Sequence, residues 1–403
     1  MITLSPPQYI KDILRKLEES GHRAYLVGGC VRDLLLDRLP HDWDICTSAL
    51  PEEMLTIFPD AIPTGLQHGT VTVRGGKKHE LAEVTTFRAE TTYSDHRRPD
   101  SVAFIRDLDG DLSRRDFTMN AIALAEDGSL IDPFGGQEDI RRGRIRCVRE
   151  PDARFQEDAL RMFRALRFSA VLGFPIESET YAAIGRHAQL SAFLASERIR
   201  EELEKTLCSA RPELISDFFR LGLLNHLLLT PSPAVDCSTL TWLPAEPLLR
   251  WAGLCALLQD IGCIASAEAF LTALRLDGST IRACSTGLTA RQSMPLSTKL
   301  DGKRLLAAIG QDAAFCAAAG DVVRTDGNPL TLLQDILASG DCISLKMLAV
   351  SGHDLAALGL RGQEIGAMLA RLLDHVLTHP SQNKANILLA HAQELQKEDA
   401  AAW

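Results

Sequence analysis

The chain has 403 residues, of which 46% are hydrophobic and 24% charged, and its formal net charge is −10. This length and composition predict a folded protein of several packed units. They exclude an intrinsically disordered chain and a uniformly basic nucleic-acid-binding coat, although a local basic face remains compatible with them. No apolar run approaches the roughly 20 residues that a helix needs to span a bilayer.

Ten cysteines are scattered along the chain without a CxxC pair, and the N-terminal residues lack the charged start and apolar stretch of a signal peptide. We therefore expect a cytoplasmic protein with reduced thiols that pack as small apolar side chains. A structural zinc site is not expected, because the ligand spacing is missing.

The first 145 residues alternate helix and strand signals. Apolar residues at helical spacing predict a helix over 8–19, and further helices are expected at 31–37 and 52–58. Strands rich in Val, Thr and Ile are expected at 24–27, 43–46, 70–73, 80–86, 102–105 and 121–124. Together they predict an α/β domain built on one mixed sheet. After about residue 150 strand signals nearly vanish, which predicts an all-helical remainder of several small bundles.

A glycine pair, Gly28 and Gly29, lies between the first strand and the second helix, with Arg32 in the first turn of that helix. Paired glycines let the backbone approach a ligand closely, and an arginine at this point can reach a phosphate. The pattern is neither GxGxxG nor a P-loop, so a dinucleotide-binding fold is not supported. A simple tight turn is the alternative.

Two carboxylates, Asp42 and Asp44, stand two residues apart on the next predicted strand and so face one side of it. Their mutual repulsion favours a bound cation, and oxygen ligands favour Mg²⁺, as in two-metal phosphoryl-transfer sites. A solvated strand face is the alternative. Glu83, amid β-branched residues of a later strand, is a candidate third carboxylate or base, or else an edge-facing surface residue.

Arginines carry the remaining signals. Arg114, Arg115, Asp116 and Asn120 could hold a triphosphate and a sugar, or form a surface loop with a local ion pair. Residues 154–168 predict one helix on which Asp158, Arg161 and Arg164 share a face that Arg167 continues. Residues 141–167 hold nine arginines and no lysine. An Asp and an Arg side by side can pair with the edge of a base, whereas a salt-bridged solvated face is the alternative.

The motifs GGCVRD, DWD, EVTTFR, RRDFTMNA, DPFGG and EDALR follow one another in this order between residues 24 and 170. The chain thereby resembles the class II tRNA nucleotidyltransferases, the CCA-adding enzymes, and the related bacterial poly(A) polymerases. The segment from Gly352 is similar, more weakly, to the C-terminal region of the shorter bacterial members.

The resemblance implies a nucleotidyltransferase head at 1–145, a base-recognising helical neck at 146–205, a helical body at 206–290 and a tRNA-binding helical tail at 291–403. It implies that Asp42 and Asp44 hold Mg²⁺. It places nucleotide contacts on Gly28, Gly29, Arg32, Arg115, Asp158, Arg161, Arg164 and Arg167. Asp158 and Arg161 would act as a protein template for the base of CTP or ATP.

The implied activity is template-independent addition of CCA to the 3′ end of tRNA. Residues 88–99 resemble the family's flexible loop and favour full CCA addition over a CC-adding enzyme. A poly(A) polymerase, an A-adding or CC-adding specialist, and a catalytically silent RNA-binding protein remain alternatives. Gln259 stands where an appended phosphohydrolase would carry histidine, so we expect only a helix end there. Trp242, Trp251, Leu248 and Leu249 are expected in the core of the body.

Overall fold

The computed structural model describes residues 5–77, 80–90, 102–231, 234–325, 327 and 329–401. The chain divides into two compact units, Met1–His226 and Leu227–Trp403. The first unit holds the mixed sheet and the second is helical, which confirms the predicted fold class. The finer division into head, neck, body and tail stays a prediction.

Seven strands of the first unit form one mixed sheet, whose order is β3-β4-β5-β2-β1-β8-β9. All neighbours are antiparallel except β2 and β5, which run parallel. The strands of this sheet are β1 Ala24–Val27, β2 Asp44–Thr47, β3 Ile62–Gly65, β4 Thr70–Arg74, β5 Leu81–Thr86, β8 Ala123–Leu124 and β9 Leu130–Ile131. Sequence reasoning missed β3 and β9, the two short edge strands.

One predicted strand joins a different sheet. β7, Val102–Phe104, pairs with β6, Arg88–Glu90, in a separate two-stranded sheet. Both edges of β5 are already occupied by β4 and β2, so no place in the middle of the large sheet is left for β7. The expectation that 102–105 completes the main sheet was therefore wrong. Of the loop predicted at 88–99, residues 91–99 lie outside the described part of the chain.

The first unit contains ten α-helices within its described residues. Helix α1, Gln8–Glu19, buries Ile10, Ile13, Leu14 and Leu17, as their spacing predicts. The other nine are α2 Gly29–Leu35, α3 Pro51–Ile57, α4 Leu108–Ser113, α5 Gly136–Arg141, α6 Pro151–Glu157, α7 Leu160–Leu172, α8 Ser178–His187, α9 Ser196–Leu207 and α10 Ser216–Arg220.

The second unit is built from nine helices within its described residues. They are α11 Pro247–Asp260, α12 Ala267–Ala273, α13 Gly278–Ala290, α14 Lys299–Ile309, α15 Gln311–Val322, α16 Pro329–Ala338, α17 Gly352–Ala357, α18 Gln363–Thr378 and α19 Ala385–Ala401. Alanine-rich α15 packs closely on α13, where a Cβ on Gly287 would lie 2.2 Å from the carbonyl oxygen of Ala313. No described helix is both long and apolar enough to cross a membrane.

The predicted core of the body is confirmed in part. Trp251 and Leu249 lie in the core on α11 and Leu248 is half-buried, but Trp242 is 55% exposed, so the predicted burial of Trp242 was wrong. Trp242 ends a short 3-10 helix, Ser238–Trp242, beside α11. Gln259 lies at the end of α11 as predicted. All ten cysteines are free thiols, and all are buried except the half-buried Cys208.

Candidate active site

The glycine pair forms the sharp turn between β1 and α2. Gly28 has a φ of +79°, a conformation that residues with a Cβ rarely adopt. A Cβ at Gly28 would lie 3.1 Å from Nη1 of Arg115 and 3.6 Å from Oδ2 of Asp44. The turn therefore brings together three of the residues that sequence analysis singled out, and a side chain at Gly28 would fill the space between them. Gly29 lies beside the guanidinium of Arg32 in the same way.

The aspartate pair lies at the start of β2 and not within it. β2 begins at Asp44, and Asp42 occupies the bend before it, because the neighbouring strand β1 ends at Val27. Asp44 stands opposite Glu83 of parallel β5 in the register. Burial raises the pKa of Asp44, and the charges of Glu83 and Asp42 raise it further, against the opposing effect of Arg115. Negative charge at this point is thus destabilised unless a cation accompanies it.

The donor set suits a shared metal ion and not an all-protein cage. Within the described ranges, no three His, Cys, Asp or Glu side chains are grouped closely enough to hold a metal on their own. Mg²⁺ is usually held by one or two carboxylates together with substrate phosphates and water. Asp42 and Asp44 fit that requirement, while Glu83, whose side chain is exposed, stays a prediction as a third carboxylate.

Arg114 and Arg115 share a buried acid that sequence analysis missed. Asp111 accepts hydrogen bonds on one oxygen from Arg114, at 2.8 Å from Nη2, and on the other from Arg115 Nη2 at 3.1 Å. Burial opposes the charge of Asp111, but the two guanidinium groups outweigh it and lower its pKa. Nε of Arg115 is buried and lacks a hydrogen-bond partner among the described residues. An unsatisfied cationic donor beside Asp44 suits an anionic ligand.

A chain of hydrogen-bonded side chains runs from Arg32 through buried Asn120 and Asp116 to half-buried Arg164. Nη1 of Arg32 donates to Oδ1 of Asn120 at 2.9 Å, and Nδ2 of Asn120 donates to Oδ1 of Asp116 at 3.1 Å. The other oxygen of Asp116 accepts from Nε of Arg164 at 2.7 Å. Although burial opposes its charge, Arg164 and Asn120 lower the pKa of Asp116 to about 2. Asn120 and Asp116 therefore connect Arg32, on α2, to Arg164, on α7.

We expect Asp116→Asn to lower the free energy of unfolding at pH 7 by about 1–3 kcal/mol, because it leaves the half-buried guanidinium of Arg164 without its acid. The folded pKa lies below the unfolded value of roughly 3.9, so Asp116 stabilises the fold above that pH and loses this contribution as the pH falls towards 2. Urea unfolding at pH 7 and pH 3 measures the difference. Asp152→Asn, in the exposed pair with Arg186, is the control and should change little. An equal deficit of the Asp116 variant at both pH values would contradict the account.

The predicted single helix over 154–168 is two helices. Asp158 separates α6 from α7 with an extended backbone, at φ −136° and ψ 105°. Its Oδ1 accepts the N–H of Leu160, the first residue of the second helix, at 3.0 Å, and its Oδ2 accepts from Arg198 at 3.0 Å. The prediction failed because a short polar side chain can satisfy a helix start and so interrupt a continuous apolar pattern. Asp158 therefore does not share a helix face with Arg161.

The arginines of α7 are each held by a different acid or carbonyl. Arg161 is only 7% exposed and donates to Glu157 at 2.8 Å and to the carbonyl of Arg114 at 2.7 Å. Arg164 bonds Asp116, as described above, and Arg167 pairs with Glu202 on α9. Asp158 and Arg161, the proposed template pair, thus have separate partners in this structure.

Three partners escaped sequence analysis: Asp111, Arg198 and Glu202. Asp111 carries a local signal, because acid and arginines stand three and four residues apart. Arg198 and Glu202 lie on α9, about 40 residues beyond their partners Asp158 and Arg167, so no sequence pattern near either partner points to them. Only the packing of α9 against α7 brings them to the site.

A mixed sheet that presents a glycine turn, paired aspartates and an arginine-lined helix defines a nucleotidyltransferase. Comparisons with known proteins agree. A profile of the Poly A polymerase head domain matches residues 24–146, and one described as a probable RNA and SrmB-binding site of polymerase A matches 173–236. The CCA-adding enzyme of Geobacillus kaustophilus is 42% identical over 99% of this chain and 97% of its own length. The chain belongs to the family of CCA-adding enzymes.

A second relative and a solved structure cover most of the chain. The CCA-adding enzyme of a Geobacillus strain, WCH70, is 41% identical over 87% of both chains. The crystal structure of the Bacillus stearothermophilus CCA-adding enzyme in complex with CTP superposes with a TM-score of 0.82 at 35% identity, covering 99% of this chain and 100% of that one. The likeness therefore extends through both compact units.

Proposed function

We propose that this protein adds C, C and A in turn to the 3′ end of tRNA, using CTP and ATP and no nucleic-acid template. The observation that carries the proposal is the meeting of Gly28, Asp44 and Arg115 at one turn. Membership in the CCA-adding family supports the choice of substrates. We propose the cytoplasm, where tRNA is matured, as its place of action.

The reaction is an in-line displacement. The 3′-hydroxyl oxygen of the tRNA attacks the α-phosphate of the nucleotide, a new phosphodiester bond forms, and pyrophosphate leaves with the electron pair of the broken bond. Gly28 and Gly29 leave room for the triphosphate against the backbone. Arg115, whose Nε is unsatisfied, and Arg32 would donate hydrogen bonds to its oxygens.

Asp42 and Asp44 are the residues that would hold Mg²⁺. The bound cation would supply a Lewis acid that offsets the negative charge of the phosphates and of the two aspartates. The raised pKa of Asp44 supports this assignment, because its carboxylate is destabilised by burial and by its acidic neighbours. Glu83 is proposed as an accessory carboxylate at the same end of the sheet.

Asp158 and Arg161 are proposed to select the base. A carboxylate that accepts and a guanidinium that donates can satisfy the Watson–Crick edge of cytosine or adenine, which spares the enzyme a template strand. Asp158 is now held by Arg198, and Arg161 by Glu157 and a backbone carbonyl. Base recognition therefore requires both side chains to exchange these partners for the nucleotide.

The test is incubation of a tRNA transcript ending at the discriminator base with CTP, ATP and Mg²⁺. We expect a product three nucleotides longer, and none when EDTA replaces the metal. A stable complex with tRNA but no extension under any metal condition would instead establish a silent RNA-binding protein.

We expect Gly28→Ala to lower kcat/KM by roughly 10²-fold, because its Cβ would lie 3.1 Å from Nη1 of Arg115 and force that guanidinium to shift. Gly21→Ala is a matched control. Gly21 has a φ of +87°, so alanine is strained there as well, but its Cβ would meet nothing within 4 Å. Both variants should lose about 1–2 kcal/mol of stability. Equal activity of the two variants would show that the close approach at Gly28 is unimportant.

A further inference from the structure

One aromatic ring lies beside three of the arginines proposed to bind the nucleotide. Phe168, on α7, is 5% exposed. The guanidinium carbon of Arg167 lies 3.9 Å from its ring centroid, that of Arg32 5.1 Å and that of Arg164 5.3 Å. Arg32 comes from α2 at the glycine turn, so the ring joins the sheet side of the site to the helical side.

The ring itself is fixed from behind. Phe117, a fully buried residue of the RRDFTMNA motif, meets Phe168 edge-on, with centroids 5.8 Å apart and planes at 85°. This T-shaped arrangement is a preferred geometry for aromatic pairs. Phe168 is therefore held in one orientation by a residue that neighbours Asp116.

Each of the three arginines has its own acid. Arg32 pairs with Asp33 at 2.8 Å, Arg164 with Asp116 at 2.6 Å, and Arg167 with Glu202. The acids come from three separate parts of the fold, and Asn120 also links Arg32 to Asp116, the partner of Arg164. The face of a single ring, which carries negative electrostatic potential, attracts all three guanidinium groups and lets them stay close despite their like charges.

We propose that Phe168 is a positioning residue for nucleotide binding, which holds the guanidinium groups of Arg32, Arg164 and Arg167 in the orientation that receives the nucleotide. The inference deepens the proposed function and rests on it. Phe168 acts through the arginines and touches neither the base nor the reacting phosphate. Its removal should thus weaken CTP and ATP alike, in contrast to loss of Asp158.

The variant Phe168→Met keeps most of the side-chain volume but has no ring, and Phe168→Leu is made in parallel in case methionine overpacks. We expect the Kd of both CTP and ATP, measured by calorimetry, to rise about tenfold. At saturating nucleotide, kcat should stay within about twofold of wild type. Phe168→Tyr keeps the ring face and should restore the wild-type Kd.

Phe163→Met is the matched control. Phe163 is fully buried on the same helix and packs on Phe218, with centroids 5.6 Å apart. It should lose as much thermal stability as Phe168→Met with no change in either Kd. A Kd in Phe168→Met no higher than in this control, or a tyrosine variant as weak as methionine, overturns the positioning role. Failure of the wild type to bind CTP or ATP would instead refute the proposed function.

Discussion

We expect Asp44→Asn to lower the rate of nucleotide addition by about three orders of magnitude, and Asp42→Asn to have an effect of similar size. Asparagine keeps the shape of the side chain but removes the charge that would hold Mg²⁺. Positioning and charge neutralisation carry most of the catalysis of phosphoryl transfer, so the loss should appear in kcat and persist at saturating nucleotide.

Stability separates this effect from a folding defect. Burial and the neighbouring acids raise the pKa of Asp44 above its ordinary value, so its ionised form works against the fold at neutral pH. Asp44→Asn should therefore be no less heat-stable than wild type when Mg²⁺ is absent. Asp60→Asn, which changes an exposed aspartate of the same unit, should leave rate and stability unchanged. Full activity of Asp44→Asn would rule out the proposed metal site.

Glu83→Gln, assayed beside these variants, tests the third carboxylate. The side chain is exposed and stands opposite Asp44 in the sheet, so a contribution to metal binding would appear as a higher Mg²⁺ requirement. An unchanged requirement would leave the site with two carboxylates.

The second large effect is expected from Asp158→Ala, which should reduce discrimination between CTP or ATP and the incorrect nucleotides by about tenfold or more. Alanine leaves the incoming base without its acceptor, whereas Asp42 and Asp44 are untouched, so the Mg²⁺ requirement should not change. The measurement is kcat/KM for each of the four nucleoside triphosphates on a transcript ending at the discriminator base.

The control must account for the hydrogen bond that Asp158 makes at the start of α7. Asp158 accepts the N–H of Leu160, and loss of such a bond costs about 1 kcal/mol. Asp277→Ala removes hydrogen bonds at the start of α13 in the other unit, where Asp277 accepts the N–H groups of Ser279 and Thr280. It should lower stability without altering selectivity. If Asp158→Ala slows all four nucleotides equally, Asp158 is not the base-reading group.

Local patterns were sufficient to predict the parts of the fold that depend on neighbouring residues. Apolar spacing located α1, and the glycine pair located the turn before α2. Patterns failed where distant segments compete. β7 pairs with β6 in a separate sheet, and Trp242 stays exposed at the end of a short helix. Neither the pairing of β7 nor the exposure of Trp242 is decided by the residues adjacent to it in the sequence.

The same division applies to the site. The resemblance of the ordered motifs to a known family brought Gly28, Asp44 and Arg115 into one hypothesis, and the fold places them together. The helix break at Asp158 and the partners Arg198 and Glu202 were not predictable, because a side-chain hydrogen bond to the start of the next helix and a helix about 40 residues away decide them.

The decisive measurement is the sequence of the products formed on tRNA transcripts ending at the discriminator base, after C and after CC, with an unrelated RNA in parallel. Each receives CTP alone, ATP alone, or both, with Mg²⁺. The account predicts that all three transcripts end in CCA when both nucleotides are present and that the unrelated RNA is unchanged. Addition of A to the CC-ending transcript alone, a stop at CC, or long A tracts on every RNA would contradict it, and would identify an A-adding enzyme, a CC-adding enzyme or a poly(A) polymerase respectively.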